Sequence, residues 1–172
     1  FENIVSEATI ANAAIAAALV AVADPVNAVT VTGCINKGDI TGTGMCGGLI
    51  AKLDSDDANG TNSAFAIVQD SANYGDITAG SYGAGVVASF QYNLDSKVIN
   101  CDNYGAIKGG GDSGGLVGHT TQAVMTMSYC ENFGTVSTEG STQYAGGICG
   151  YTWGTKTSSW SVDKYSTIIE YC

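Results

Sequence analysis

The chain has no arginine, a single proline (Pro25) and a single histidine (His119) in 172 residues. Its six basic residues are all lysines, against sixteen acidic ones, for a formal net charge of −10. Such a surface repels a phosphate backbone and equally repels anionic lipid, so no nucleic-acid partner is expected. Long apolar runs are missing too. The stretch Ala8 to Ala23 has sixteen uncharged residues. A membrane helix needs about 20, and Asp24-Pro25 closes the run, so no membrane insertion is expected. No Lys or Arg precedes it, so it lacks the basic start of a signal peptide. The six cysteines form no CxxC pair, and one histidine cannot complete a common zinc set, so neither a structural metal nor a cofactor is expected.

Catalytic constellations are equally sparse. Gly111-Asp112-Ser113-Gly114-Gly115 spells the serine motif of trypsin-like proteases. Ser113 would need a histidine base, and His119 follows it instead of preceding it in an Ala-Ala-His-Cys context. The acidic segment Asp54-Ser55-Asp56-Asp57-Ala58-Asn59-Gly60 looks like a calcium loop, with Asp54, Asp56 and Asp57 as weak candidate ligands. The EF-hand spacing fails, because the sixth position from Asp54 is Asn59 and the twelfth is Phe65. The chain is therefore expected not to be an enzyme. A carbohydrate-active enzyme stays as an alternative, since an inverting glycosidase needs only two carboxylates about 6.5–9.5 Å apart.

What the chain has is glycine, 24 residues of it, placed at fixed intervals. Asn-x-Gly followed by an aliphatic residue two places on occurs at Asn36, Asn73, Asn103 and Asn132, in steps of 37, 30 and 29 residues. A second marker keeps the same beat: Gly47-Gly48-Leu49-Ile50, Ala84-Gly85-Val86-Val87, Gly114-Gly115-Leu116-Val117 and Gly146-Gly147-Ile148-Cys149. A period between about 20 and 50 residues signals a solenoid, propeller or array. Each repeat splits into short segments rich in Val, Ile, Thr and Tyr between Gly/Asn/Ser clusters, which read as strands. Equal phase then builds columns: Ile40, Ile77, Ile107, Val136; Leu49, Val86, Leu116, Ile148; and Val31, Val68, Val98, Met127. The expected fold is all-β, a right-handed parallel β-helix (β-solenoid) of about four to five coils. Residues 31–172 form its repeats. Residues 1–30 are a degenerate Ala-rich coil or a capping helix. Ala17 to Ala21 aligns with Gly47 to Ala51 at a 30-residue step, while alanine favours helix.

Three further columns carry side-chain chemistry. Asn36, Asn73, Asn103 and Asn132 are expected to form a turn ladder, because Asn and Gly tolerate positive φ and stacked amides can bond rung to rung. Cys34, Cys101, Cys130 and Cys172 share the phase two residues before that Asn, or its equivalent, with Ser71 in the second repeat. They read as small buried side chains, with disulfides between coils as the alternative, since a rung spacing of about 4.8 Å suits the bond. Tyr74, Tyr104 and Phe133 share the middle position of the turn, and Tyr82 and Tyr144 share another phase. Such aromatics are a possible glycan-contact strip, or a stack that stabilises itself. A column of Thr41, Thr78, Lys108 and Ser137 is interrupted by its lysine and makes no ice-binding face.

The Gly-Gly-aliphatic-x-Gly stretch followed by aliphatic-x-x-Cys-x-Asn-x-Gly-aliphatic resembles the GLUG-type repeats of bacterial surface proteins. The resemblance covers most of residues 45–172 and is clearest from Gly114 to Gly118 through Cys130 to Gly134. It departs in the second repeat, which carries the Asp54 to Gly60 insertion. The resemblance implies a secreted or cell-surface, adhesin-like β-helix with no catalytic residues. The expected function is thus a non-enzymatic structural or adhesive surface protein with a glycan or host-surface ligand. End-to-end self-association into a filament is the alternative, since Cys172 falls inside a repeat that Phe1 to Val5 of another copy could continue.

Overall fold

The computed structural model describes residues 1–23, 28–54, 65–93, 95–139, 143–153 and 167–172. Among them every regular element is a strand and every strand pairing is parallel. With no helix among the described residues, none is long and apolar enough to cross a membrane.

Four sheets run side by side, and each repeat feeds all of them in the same order. One contains Ala28–Thr32, Phe65–Gln69, Ser96–Ile99, Met125–Ser128 and Thr167–Glu170. The next is built from two-residue strands: Val5–Ser6, Ile35–Asn36, Ala72–Asn73, Asp102–Asn103 and Glu131–Asn132. The third is branched. Its long strand Ile40–Gly47 pairs with Ile10–Ala17 on one side and on the other with both Ile77–Ala79 and Gly83–Ala84, from which two limbs continue. The fourth holds Val20–Ala23, Ile50–Asp54, Val87–Gln91, Val117–Thr121 and Cys149–Trp153.

The registers match the sequence phase. Asn36 pairs with Asn73, Asn73 with Asn103 and Asn103 with Asn132. Ile40, Ile77, Ile107 and Val136 lie in line, as do Val31, Val68, Val98, Met127 and finally Ile169. Parallel in-register pairing puts each side chain on its counterpart, so the apolar residues of these columns bury one another. The main core joins Val31, Leu49, Leu53, Val68, Phe90 and Met127 among others, and a smaller one joins Ile40, Cys46, Ile77 and Ile107. Each buried Leu, Ile or Val contributes about 1.5–3 kcal/mol. The columns lose their cover at the last rung, where Ile169 is 47% exposed against 0% for Val98 and Met127 beneath it.

The Ala-rich segment is strand and not helix. Ile10–Ala17 and Val20–Ala23 pair with the next repeat at Ala17 to Gly47 and Val20 to Ile50, a 30-residue step, with register shifts near Ala13. Helix propensity separates Ala from average residues by only a few tenths of a kcal/mol, and pairing with the open edge of Ile40–Gly47 outweighs it. Small residues suit a close approach: a Cβ at Gly44 would lie 2.2 Å from the Ala14 carbonyl oxygen.

The tight bend is not where positive φ was expected. Gly38, Gly75, Gly105 and Gly134 do not adopt it. Left-handed residues recur just before the cysteine phase, at Gly33 (φ 63°), Asp70 (53°), Asn100 (50°), Tyr129 (56°) and Tyr171 (55°), and others occur elsewhere, at Asn12, Tyr92, Asp95 and Gln122 among them. The Asn-x-Gly glycine is needed for closeness instead. A Cβ at Gly75 would sit 2.0 Å from the Gly38 carbonyl oxygen, and one at Gly105 would sit 2.0 Å from that of Gly75.

Inside this bend the Asn amides form a continuous chain. Nδ2 of Asn36 donates to Oδ1 of Asn73 (2.8 Å), Asn73 to Asn103 (2.7 Å) and Asn103 to Asn132 (2.7 Å). The second hydrogen of each Nδ2 goes to the carbonyl oxygen of its own repeat's Gly at 2.8–2.9 Å. Asn36, Asn73 and Asn103 are fully buried. Replacing Asn103 by Ala would leave the Asn73 donor and the Asn132 acceptor without partners. The expected loss is about 2–4 kcal/mol, from about 1–3 kcal/mol per stranded buried group. It would be read as a lower urea midpoint, with Asp102→Ala, on the half-buried outward position, as the near-neutral control.

Candidate functional site

Two kinds of side-chain column carry chemistry beyond the aliphatic core: a cysteine column that lines it and aromatic columns nearer the surface. The cysteine column has a clear local cause. Each left-handed residue turns the chain back on itself. The thiol that follows donates to the carbonyl two residues earlier: Cys34 to Thr32, Cys101 to Ile99, Cys130 to Ser128 and Cys172 to Glu170, all at 3.3 Å. Ser71 does the same with its hydroxyl, donating to Gln69 at 2.7 Å. The phase therefore selects a small side chain with one donor, which explains the serine among cysteines. All six cysteines are free thiols. Cys34, Cys101 and Cys130 are buried and Cys172 is exposed. The Cys130 thiol is lowered to about 7, first because the Cys101 thiol hydrogen-bonds to it, while Cys101 itself is pushed up by that contact and by burial.

The aromatic column is assembled as its phase requires. Tyr74 and Tyr104 stack at 4.6 Å and 4° between planes, and Tyr104 and Phe133 at 4.9 Å and 10°. The rung below places Lys37 at this phase, ion-paired with Glu7 at 3.4 Å. The rings are 42–60% exposed, but their faces are turned on each other. The column thus offers solvent its ring edges along its length and free faces only at its two ends. What the stack leaves open to solvent is the ring edges and the outer face of Phe133.

The candidate calcium ligands are not assembled among the described residues. Asp54 is ion-paired with Lys52 at 2.5 Å, and Asp56 and Asp57 lie outside the described residues. No group of His, Cys, Asp and Glu suited to a metal occurs among the described residues. The stacked carboxylates of Asp39 and Asp76 are already engaged, accepting the amide hydrogens of Asp76 and Ala106 at 2.9 and 2.8 Å.

One constellation was not expected. Asp112 and His119, seven residues apart across the Gly114-Gly115 turn, face each other: Asp112 Oδ2 lies 2.8 Å from His119 Nδ1. His119 Nε2 in turn lies 2.7 Å from Thr121 Oγ1. With Nδ1 protonated, the ring donates to the carboxylate and accepts from the threonine hydroxyl. The other carboxylate oxygen accepts the Tyr144 amide hydrogen at 3.1 Å. Asp112, His119 and Thr121 are each buried. Ser113 takes no part; it donates to Gly111 at 3.3 Å and is buried, so the protease-like motif does not become a nucleophile–base pair. Around this core, His119 stacks on Tyr82 at 4.2 Å and tilts against Tyr151 at 5.3 Å, and Tyr151 stacks on Tyr144 at 5.0 Å. Beside it opens a groove of about 430 Å³ whose walls include Tyr82, Asp112, Tyr144 and Tyr151. The sequence signal was present as two phases seven residues apart, reading Tyr82/Ser89, Asp112/His119 and Tyr144/Tyr151.

Cys101→Ser should keep the bond to the Ile99 carbonyl and change stability by less than about 1 kcal/mol. Cys101→Val should remove one of the two hydrogen bonds to that carbonyl, which keeps the Asp70 amide, and crowd the corner, costing about 1–3 kcal/mol. Thermal unfolding of the two variants side by side reads the difference.

Compared with known proteins, the chain matches no family model, no curated protein and no solved structure.

Proposed function

We propose that the chain winds as one right-handed parallel β-helix of about four to five coils, and that it serves outside the cell as a non-enzymatic structural or adhesive surface protein. Successive strands of each sheet follow chain order at a step of one repeat, as the walls of a coil do. A parallel crossover is right-handed in about 98% of cases. The observation that carries the functional reading is the unbroken rung-to-rung contact of side chains, amide on amide and ring on ring. Those contacts stiffen a rod and leave its outward residues to meet a ligand. The resemblance of the repeats to those of bacterial surface proteins supports the extracellular, adhesin-like setting.

The test is incubation with a panel of insoluble polysaccharides, measuring both retention of the protein and release of reducing ends. Retention without release is the expected outcome. Release of reducing ends would make the chain a carbohydrate-active enzyme and end the non-enzymatic reading.

A second reading, end-to-end assembly, is favoured by one observation. At the last rung a hollow of about 440 Å³ is lined by Asn132, Phe133, Ile148 and Cys172, the same phases that are covered by a following rung elsewhere. Another copy laying its first coil there would place Ser6 over Asn132 and Leu19 over Ile148, a heterologous contact that extends without closing. Negative-stain microscopy across a concentration series should show rods one coil wide that lengthen with concentration. Single particles at every concentration would remove this reading.

A further inference from the structure

The phase of Tyr82 and Tyr144 contains a gap. In register, Gly83 pairs with Ser113 and Ser113 with Ala145, so the residues before them stack as Tyr82, Asp112 and Tyr144. Two aromatics two rungs apart, about 9.6 Å, flank one short carboxylate. The rung between them is also stripped of side chains on its approach, where Gly110 and Gly111 precede Asp112. A Cβ at Gly110 would lie 2.4 Å from the Gly80 carbonyl oxygen, so this floor is closed to any larger residue. The result is a recess, a notch one rung high beside Tyr144, in a phase that reads Ile15, Met45, Tyr82, Asp112 and Tyr144.

The walls of the notch are prepared. His119, on the rung of Asp112, covers the Tyr82 face that looks toward that rung, and Tyr144 has one face on Tyr151. The second face of Tyr144 has no aromatic partner among the described residues. At the base, Asp112 is held by His119 through one oxygen and by the Tyr144 amide through the other. An ionised carboxylate has about four lone-pair positions, so two remain for further donors. Burial, and then the charge of Asp112, push the Tyr82 phenol up, which keeps it protonated and a donor.

We propose that this notch is a binding site for a neutral pyranose ring, one unit of an oligosaccharide lying across the groove. The chemistry matches part by part. The apolar C–H face of a sugar ring packs on an aromatic face, here the second face of Tyr144. Its hydroxyls donate to a fixed carboxylate and accept from phenols. A net charge of −10 disfavours phosphorylated, sulfated or uronic sugars, which leaves neutral ones. The volume of about 430 Å³ lies in the range that small-molecule sites occupy. Asp112 and His119 act here as a positioning pair: the imidazole braces Tyr82 and orients the carboxylate. This inference rests on the surface-display reading and adds to it a ligand class and a place.

Saturation-transfer NMR of the full chain with maltotriose, cellotriose, mannotriose and chitotriose tests it, together with three variants. At least one trisaccharide should bind saturably. Tyr144→Ala, at a half-exposed ring on the outermost rungs, should weaken that binding by about tenfold or more, and Asp112→Asn should weaken it similarly. Tyr104→Ala, on the separate aromatic column, should leave it unchanged. Thermal unfolding of Tyr144→Ala near the parent midpoint keeps the comparison valid, since the chain then folds without that ring. Absence of saturable binding by all of the sugars overturns the notch while leaving polysaccharide retention to judge the display reading. Binding lost in Tyr104→Ala and kept in Tyr144→Ala would move the ligand to the other column and overturn the notch alone.

Discussion

A buried amide with no partner is more costly than a mutation in most other places, and this fold has four primary amides in single file on its inside corner. Their saturation constrains much of the rest. Each amide needs the next at one rung's distance, so the strands must be parallel and in register. Each also needs room. A Cβ at Gly85 would fall 2.4 Å from Asn103 Oδ1, and one at Gly115 2.4 Å from the Asn132 Cγ. The two sequence markers are therefore two sides of one contact. The Asn of one marker fills the space that the glycine of the other leaves.

Around this corner the columns divide into two kinds. Those facing inward mostly keep their chemistry from rung to rung, as in Ile40, Ile77 and Ile107, with Thr120 after Leu53 and Phe90 an exception. Those facing outward vary, and the variation is where specific chemistry enters. The phase of Tyr82 and Tyr144 accepts Asp112, and the phase of Ser89 accepts His119 and Tyr151. A break in an outward column creates a recess without disturbing the ladder behind it. The residues that hold the stack together are thus distinct from those that vary.

The registers of the sheets were legible because a parallel stack writes its geometry directly into spacing. Asn36 to Asn73 is 37 residues in sequence and one rung in space. The strand identity of residues 10–17 was not decided by composition, because alanine's preference is small beside the pairing energy of an open edge. The site of positive φ was misplaced for a different reason. Tyr129 and Tyr171 adopt it without the glycine or asparagine that would advertise it, held there by the strands on both sides. The aromatic column was visible as a phase, but its face-to-face stacking, which turns the rings away from a flat-lying ligand, depends on side-chain torsions that spacing does not encode. Asp112 and His119 were each noticed for a protease motif that fails. Their pairing with each other needed the width of the Gly114-Gly115 turn.

Every amide in the inner file donates toward the later rung, so the small dipoles add and do not cancel. The column consequently has a head and a tail. A further amide stacked after Asn132 would meet a donor, and its own carbonyl oxygen would receive the hydrogen. A stack extended from the other end would begin on the acceptor side, at the Asn36 oxygen.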